Sequence, residues 1–258
     1  VLYEIVAARR KQLQTEHRKN WQRRAKRASG SDLLAALSAP GTRLIAEVKP
    51  ASPSRGRILD RKEIPRLVRA YERGGAAAIS VLAEPAYFQG GGELVSLVRS
   101  LTSLPILWKD FVISPSQIYE AKARGAAGVL LIARILTARE LAAFIRLANK
   151  LGLLPLVEVH REEELGKLAE VSDRFALGIN NRNLSSLKVD LAATFNLLPT
   201  AQKLQPACLV SESGIKTRDD IQRLEALGCT AFLVGESLLF AQDPEKMLRE
   251  LRGEARVD

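Results

Sequence analysis

Eight short apolar runs, spaced along residues 43–235, constrain this chain more than any other feature. They are Arg43–Lys49, Ala77–Leu82, Pro105–Lys109, Gly128–Ile132, Leu154–Glu158, Phe175–Ile179, Ala207–Ser211 and Ala231–Gly235. They recur roughly every 20 to 35 residues, the length of one strand, one helix and two loops. Amphipathic stretches lie between them, among them Arg61–Gly74, Pro115–Gly125, Thr137–Leu151, Arg161–Ala169 and Thr217–Gly228. Ser114-Pro115 puts proline at a first helical position, and Thr137-x-x-Glu140 reads as a capping box. Gly74, Gly125, Gly152 and Gly228 read as helix stops. Runs this apolar must be buried on both faces, which a parallel sheet covered by helices achieves. The Gly-x-Gly-x-x-Gly turn of an open dinucleotide-binding sheet is missing after the first run; Ser52-Pro53-Ser54-Arg55-Gly56 stands there instead. The expected fold class is α/β, a single (β/α)8 TIM barrel. Residues 1–40 stand outside the repeat and read as two helices, about 2–28 and 31–38. No low-complexity linker follows them, so 1–258 is expected to be one domain with 1–40 as an N-terminal helical extension.

The runs end in charge. Leu44-Ile45-Ala46-Glu47-Val48-Lys49 places Glu47 and Lys49 on one face of a strand, since side chains alternate with period two. A buried strand does not hold a carboxylate and an ammonium unless they pair or do chemistry. The third run ends Trp108-Lys109-Asp110-Phe111, the fifth Val157-Glu158, and the seventh Ser211-Glu212-Ser213-Gly214. The sixth leads into Asn180-Asn181-Arg182 and the eighth into Gly235-Glu236-Ser237. In a barrel these ends share one mouth, where the active site is built. Lysines and carboxylates in a partly dry pocket can be set to opposite proton duties. Asn180 offers both a donor and an acceptor to a hydroxyl. Gly214 and Gly235, with the helix start at Glu236-Ser237, suggest a phosphate site, to which Ser52 and Ser213 could add hydroxyls.

Composition excludes several classes. Cys208 and Cys229 are the only cysteines and lie in apolar surroundings; they read as buried reduced thiols, not as a disulfide or zinc framework. His17 and His160 are the only histidines, so neither an imidazole metal site nor a Ser-His-Asp triad is expected. No apolar run approaches about 18 residues and no signal-peptide core opens the chain, so a cytoplasmic protein is expected. The formal charge of +10 invites a nucleic-acid partner. Most of the excess sits in residues 1–30, where nine basic side chains face only Glu4 and Glu16. A solvated helix face, or a cover over part of the domain, accounts for it without nucleic acid.

Six separated motifs, in order, resemble those of indole-3-glycerol phosphate synthases. They are Glu47-Val48-Lys49 with Ala51-Ser52-Pro53-Ser54, Glu84-Pro85-x-Tyr87-Phe88, Lys109-Asp110-Phe111, Gly178-Ile179-Asn180-Asn181-Arg182, Ser211-Glu212-Ser213-Gly214-Ile215 and Val234-Gly235-Glu236-Ser237. The resemblance implies a barrel whose N-terminal extension partly covers the mouth. It implies conversion of 1-(2-carboxyphenylamino)-1-deoxyribulose 5-phosphate to indole-3-glycerol phosphate, with loss of CO2 and water, in tryptophan biosynthesis. Lys109 would then be the general acid at the ketone and Glu158 the general base. Lys49, with Glu47 beside it, would hold the substrate carboxylate and protonate the departing hydroxyl. Asn180 and Glu212 would orient the substrate hydroxyl and nitrogen. Leu82, Phe88, Phe111 and Leu131 would wall the aromatic ring, and Arg182 would touch substrate. Ser52, Ser213, Gly214, Gly235 and Glu236 would surround the phosphate. No cofactor or metal is implied; the partner is the small anionic substrate, with neither nucleic acid nor membrane, and the chain is expected to be a monomer or a weak oligomer. Many relatives carry a basic residue after the motif lysine; Pro50 stands there and stiffens the loop.

Two other readings compete. A phosphosugar isomerase or epimerase of the same fold needs one base and one acid, not the four groups Glu47, Lys49, Lys109 and Glu158. A nucleic-acid scaffold would rest on the basic N-terminal stretch alone.

Overall fold

Eight parallel strands, each hydrogen-bonded to the next in chain order and the last to the first, close a barrel in the computed structural model. Residues 1–15, 20–26, 28, 31–183 and 188–254 are described by it. The strands are β1 (Arg43–Val48), β2 (Ala78–Leu82), β3 (Ile106–Lys109), β4 (Gly128–Ile132), β5 (Leu154–Val159), β6 (Ala176–Asn180), β7 (Cys208–Glu212) and β8 (Ala231–Val234). Each falls on one of the apolar runs, with ends shifted by at most one residue.

Two apolar layers follow from the alternation of side chains. Outward residues such as Leu44, Ile79, Trp108, Val129, Leu131, Val157 and Phe232 pack under the helices. Inward residues such as Ile45, Leu107, Leu130, Leu156, Val210 and Leu233 fill the barrel. The helices between strands are α4 (Ile64–Arg73), α5 (Gly92–Leu101), α6 (Pro115–Ala123), α7 (Ala138–Lys150), α8 (Glu162–Leu165), α9 (Ala192–Lys203) and α10 (Arg218–Glu225). After β8 come α11 (Glu236–Leu239) and α12 (Pro244–Arg252). The Thr137–Glu140 capping box forms: Glu140 N–H donates to Thr137 Oγ1 and Thr137 N–H to Glu140 Oε2. At the end of α4 it is Gly75, with φ +78°, that takes the left-handed conformation, while Gly74 stays helical.

The N-terminal extension departs from the expected pair of helices. It forms α1 (Leu2–Thr15), α2 (Trp21–Ala25) and α3 (Leu33–Ser38). Residues 16–19, which a helix over 2–28 would cross, lie outside the described residues. The three helices serve different ends of the barrel. Leu2 and Ile5 of α1 face Ser52, Phe88 and Phe111 at the carboxyl-terminal mouth. Trp21 opens α2 beside α6, with the Arg24 and Arg124 guanidiniums 5.3 and 5.0 Å from its ring. Leu33 and Leu37 of α3 join the interior cluster. A Cβ on Gly128, the first residue of β4, would collide with Leu33. The floor of the barrel is therefore closed by α3, and among the described helices of the extension it is α1 that covers the mouth.

Candidate active site

Register carries the charges to one level. Leu82 pairs with Lys109, Ile132 with Glu158, Asn180 with Glu212, and Glu47 with Ser80. All four charged side chains point inward at the tops of their strands, above the apolar filling. Lys109 stands at the centre. Its Nζ lies 2.9 Å from Glu212 Oε2, 3.7 Å from Glu158 Oε2 and 4.0 Å from Glu47 Oε2. Lys49 Nζ donates to Glu47 Oε1 at 2.8 Å. The Glu47 end of β1 is pinned from behind, since the buried Tyr71 hydroxyl donates to the Glu47 carbonyl at 2.9 Å.

Burial alone would lower the proton affinity of Lys109, but the Glu212, Glu158 and Glu47 carboxylates outweigh it and hold the ammonium well above the ordinary lysine value. Burial would raise Glu47, yet Lys49 and then Lys109 bring it below the usual carboxylate range. Glu212 goes the other way. Burial pushes it up to about 7 against the pull of Lys109, and the neighbouring Glu158 charge adds to the rise. Its side chain is wholly buried, and among the described residues its Oε1 has no hydrogen-bond partner.

A cavity of about 440 Å³ opens above this layer. Glu47, Lys49, Lys109, Glu158, Asn180 and Arg182 reach it, as do Leu82, Phe88, Phe111, Ser213, Gly214, Gly235 and Glu236. Three expected residues sit elsewhere. Leu131 points outward into the helix layer, and Leu130 and Ile132 line the cavity instead. The run Val129–Ile132 is apolar throughout, so its pattern carries no sign of which alternate set faces in. Glu212 is wholly buried against Lys109 and does not line the cavity. Ser52 is displaced from the Ser213–Gly214–Gly235 wall. It lines an adjoining cavity of about 120 Å³ beneath α1, which shares Lys49, Phe88, Phe111, Arg182 and Glu236 with the first.

The loops that shape the cavity are built from side chains the motifs contain. The buried Glu84 carboxylate accepts N–H groups from Ala86, Tyr87 and Phe88 at 2.7–3.0 Å, turning Phe88 into the mouth. Phe88 and Phe111 rings stand 6.0 Å apart, tilted by 34°. The Pro50 carbonyl accepts from Ile58 and Leu59, closing the first loop on itself. Asn181 donates to Ser211 Oγ and to the Ser213 carbonyl, each at 3.0 Å, and accepts from Thr194. Ser213 is held in the left-handed region at φ +68°, a strained conformation for a residue with a side chain and one often met at functional sites. Arg182 Nη2 lies 2.7 Å from Glu236 Oε1 across the mouth. Lys216 and Asp220 also line the cavity and were not singled out by the motifs.

Asp110 has a partner that the sequence did not reveal. It is buried and takes three hydrogen bonds from Arg9 of α1 at 2.9–3.2 Å, and one from Gln117 at 2.9 Å. Burial still leaves its carboxyl raised despite Arg9. Gln117 also caps α6 through the Ser114 N–H, so one amide joins the helix start to the loop after Lys109. Cys208 and Cys229 are buried and free.

Comparison with known proteins agrees with this geometry. Residues 2–251 match the family model described as indole-3-glycerol phosphate synthase. The chain belongs to the indole-3-glycerol phosphate synthase family. It is 45% identical over 227 residues to the indole-3-glycerol phosphate synthase of Methanopyrus kandleri, covering 87% of this chain and 88% of that one. It is 42% identical over 235 residues to that of Microcystis aeruginosa, covering 89% and 79%. Among solved structures, 3-hexulose-6-phosphate synthase superposes with a TM-score of 0.63 over 84% of this chain and 100% of that one, at 14% identity. The tryptophan synthase α subunit of Legionella pneumophila gives 0.61 over 90% and 97%, at 15% identity. These two likenesses establish the barrel fold alone. Membership of the indole-3-glycerol phosphate synthase family makes this chain a lyase of tryptophan biosynthesis and removes the isomerase reading. Among the described residues no helix is long and apolar enough to cross a membrane.

Proposed function

We propose that the cavity above Lys109 closes the indole ring of 1-(2-carboxyphenylamino)-1-deoxyribulose 5-phosphate, then expels CO2 and water. One observation carries the assignment of roles. A central ammonium, Lys109, is held among three carboxylates; two of those, Glu47 and Glu158, share the cavity with it, and Glu47 is paired to Lys49, which leaves Glu158 to act as base.

The substrate nitrogen pushes electrons to the ring carbon that bears the carboxylate, and that carbon attacks the ketone. Lys109 gives a proton to the ketone oxygen as the bond forms. Loss of CO2 restores the aromatic ring. Lys49, charged and set by Glu47, draws the substrate carboxylate into place and protonates the departing hydroxyl. Glu158 takes the remaining carbon-bound proton, which completes the indole. Leu82, Phe88, Phe111, Leu130 and Ile132 supply the apolar wall that excludes water from the ring. Arg182, Ser213, Gly214, Gly235 and the start of α11 receive the phosphate, with Ser52 on the far side of Lys49. Arg182 exchanges Glu236 for phosphate as the substrate enters.

The cavity's cations suit a substrate with two anionic ends, and the basic N-terminal stretch raises its local concentration. Within that stretch Arg9 is paired with Asp110, and the Arg24 guanidinium stacks on Trp21. The test is indole fluorescence on mixing the purified protein with the substrate. Growth of the signal in step with released CO2 is expected; well-folded protein that gives neither would overturn the proposal.

A further inference from the structure

His160 is a buried titratable group that the mechanism above does not use. It follows β5, two residues beyond Glu158, so it projects to the same side of the strand. Its ring lies between two carboxylates. Nε2 is 3.4 Å from Glu158 Oε1, and Nδ1 is 3.6 Å from Glu164 Oε2. The ring is 4% exposed, as is the Glu158 side chain. Glu164, in the single turn of α8, is held in place by the His160 backbone, whose N–H donates to Glu164 Oε2 at 2.7 Å.

A neutral imidazole has one donor and one acceptor nitrogen. Here each nitrogen lies at ion-pair distance from an acceptor-only carboxylate, and neither has a hydrogen-bond partner among the described residues, so a neutral ring would leave a buried lone pair facing a carboxylate on one side. An imidazolium instead turns a positive N–H edge to each carboxylate. We propose that His160, as an imidazolium bridging Glu164 and Glu158, is a positioning residue that holds Glu158 Oε1 and so leaves Oε2 to Lys109 and the substrate. The proposal rests on the reading of Glu158 as the base.

The electrostatics agree. Burial would lower the proton affinity of His160, but Glu164, Glu158 and Glu212 outweigh it and raise it above the ordinary histidine value. Glu164 is brought below the usual range, its burial outweighed by His160, with Arg134 adding to the effect. The charged groups around the ring are thus Glu158 on β5, Glu164 on α8, Glu212 on β7 and, across Glu158, Lys109 on β3, with Arg134 beyond Glu164. The clamp divides the two oxygens of the base between two cations: His160 takes Oε1 and Lys109 takes Oε2.

Two measurements test this. His17 and His160 are the chain's only histidines. Wild-type protein labelled with ¹⁵N-histidine therefore gives two ring systems by NMR, and a His17→Gln variant assigns them. A His160 ring still doubly protonated at neutral pH is expected; a neutral ring there overturns the proposal. The second measurement compares kcat, KM and melting temperature in His160→Gln, His160→Asn and His160→Phe. A glutamine amide can stand where Nε2 stood and keep the donor to Glu158. An asparagine amide overlies Nδ1 and keeps only the donor to Glu164. His160→Gln should keep most of kcat, while His160→Asn and His160→Phe lose up to about 10²-fold in kcat with KM little changed. With the cation gone, the acid limb of kcat/KM in His160→Phe should move up by about one pH unit or more. Equal losses in all three that follow melting temperature, with the limb unmoved, would make the histidine structural only. Failure of the base reading shows separately, as turnover retained by Glu158→Gln, because the wild-type ring charge is read without turnover.

Discussion

Gly178 makes room for Glu212. A methyl group on Gly178 would overlap Glu212 Oε1 and crowd Leu156. The absence of a side chain on β6 is what lets the β7 carboxylate lie flat against the barrel wall and reach Lys109 at 2.9 Å. A glycine inside a strand weakens it and often marks such a close approach.

Gly178→Ala should therefore lose activity before it loses the fold. Forcing a methyl into this contact should cost about 1–3 kcal/mol of stability. Displacing Glu212 moves the Lys109 ammonium, and turnover should fall by about 10²-fold. Urea unfolding and kcat measured on the same preparation check both. A variant with wild-type kcat would mean that Glu212 does not set Lys109.

The buried Glu212 carboxyl, raised to about 7 from 4.5, also gives the protein a pH signature. Between those values the folded protein holds a proton that the unfolded chain has released. Its contribution to stability is full below about pH 4.5 and is lost as pH rises through about 7. Asp110 and His160, also raised, act in the same direction and remain in a Glu212 variant. Glu47 and Glu164 are lowered, so their contributions are lost instead as pH falls below the ordinary carboxylate range. Glu212→Gln should thus show a shallower fall of Tm than wild type between about pH 5 and 7. Parallel Tm curves for the two proteins would contradict the raised value.

The N-terminal extension should separate into two effects. Arg9→Met leaves the Asp110 carboxyl buried without its cation and should cost about 3–5 kcal/mol. It also frees α1 from the mouth, so KM should rise. Leu33→Ala, at the floor, should cost about 2–5 kcal/mol with KM unchanged. The check is denaturant unfolding paired with steady-state kinetics. A Leu33→Ala variant with raised KM, or an Arg9→Met variant with wild-type KM, would break the division between floor and mouth.

The barrel was legible because its strands are apolar on both alternations and its helices carry caps with chemical signatures. Glu47, Lys49, Lys109 and Glu158 were legible because a charge at the end of an apolar run has few bland explanations. Leu130 was hidden because Val129–Ile132 offers no polar residue to mark the inward face, whereas Glu158 marks it on β5. Asp110 was visible within its motif, but nothing local identifies Arg9 among nine basic residues as its partner; that pairing spans 101 positions and exists only once α1 lies over the mouth. The placement of α3 at the floor was hidden for the same reason. Leu33 and Leu37 announce a buried face without saying which surface buries it.

The division of labour between Lys109 and Glu158 is tested most directly by single-turnover measurement of CO2 and indole fluorescence in Lys109→Met and Glu158→Gln beside the wild type. Removal of a general acid or base should slow its own step by about 10² to 10⁴. Lys109→Met should release neither CO2 nor indole product on the wild-type timescale, because ring closure precedes decarboxylation. Glu158→Gln should release CO2 while the indole signal lags far behind. A Lys109→Met variant that releases CO2 at the wild-type rate, or a Glu158→Gln variant in which both signals rise together at that rate, would contradict the roles given to these two residues.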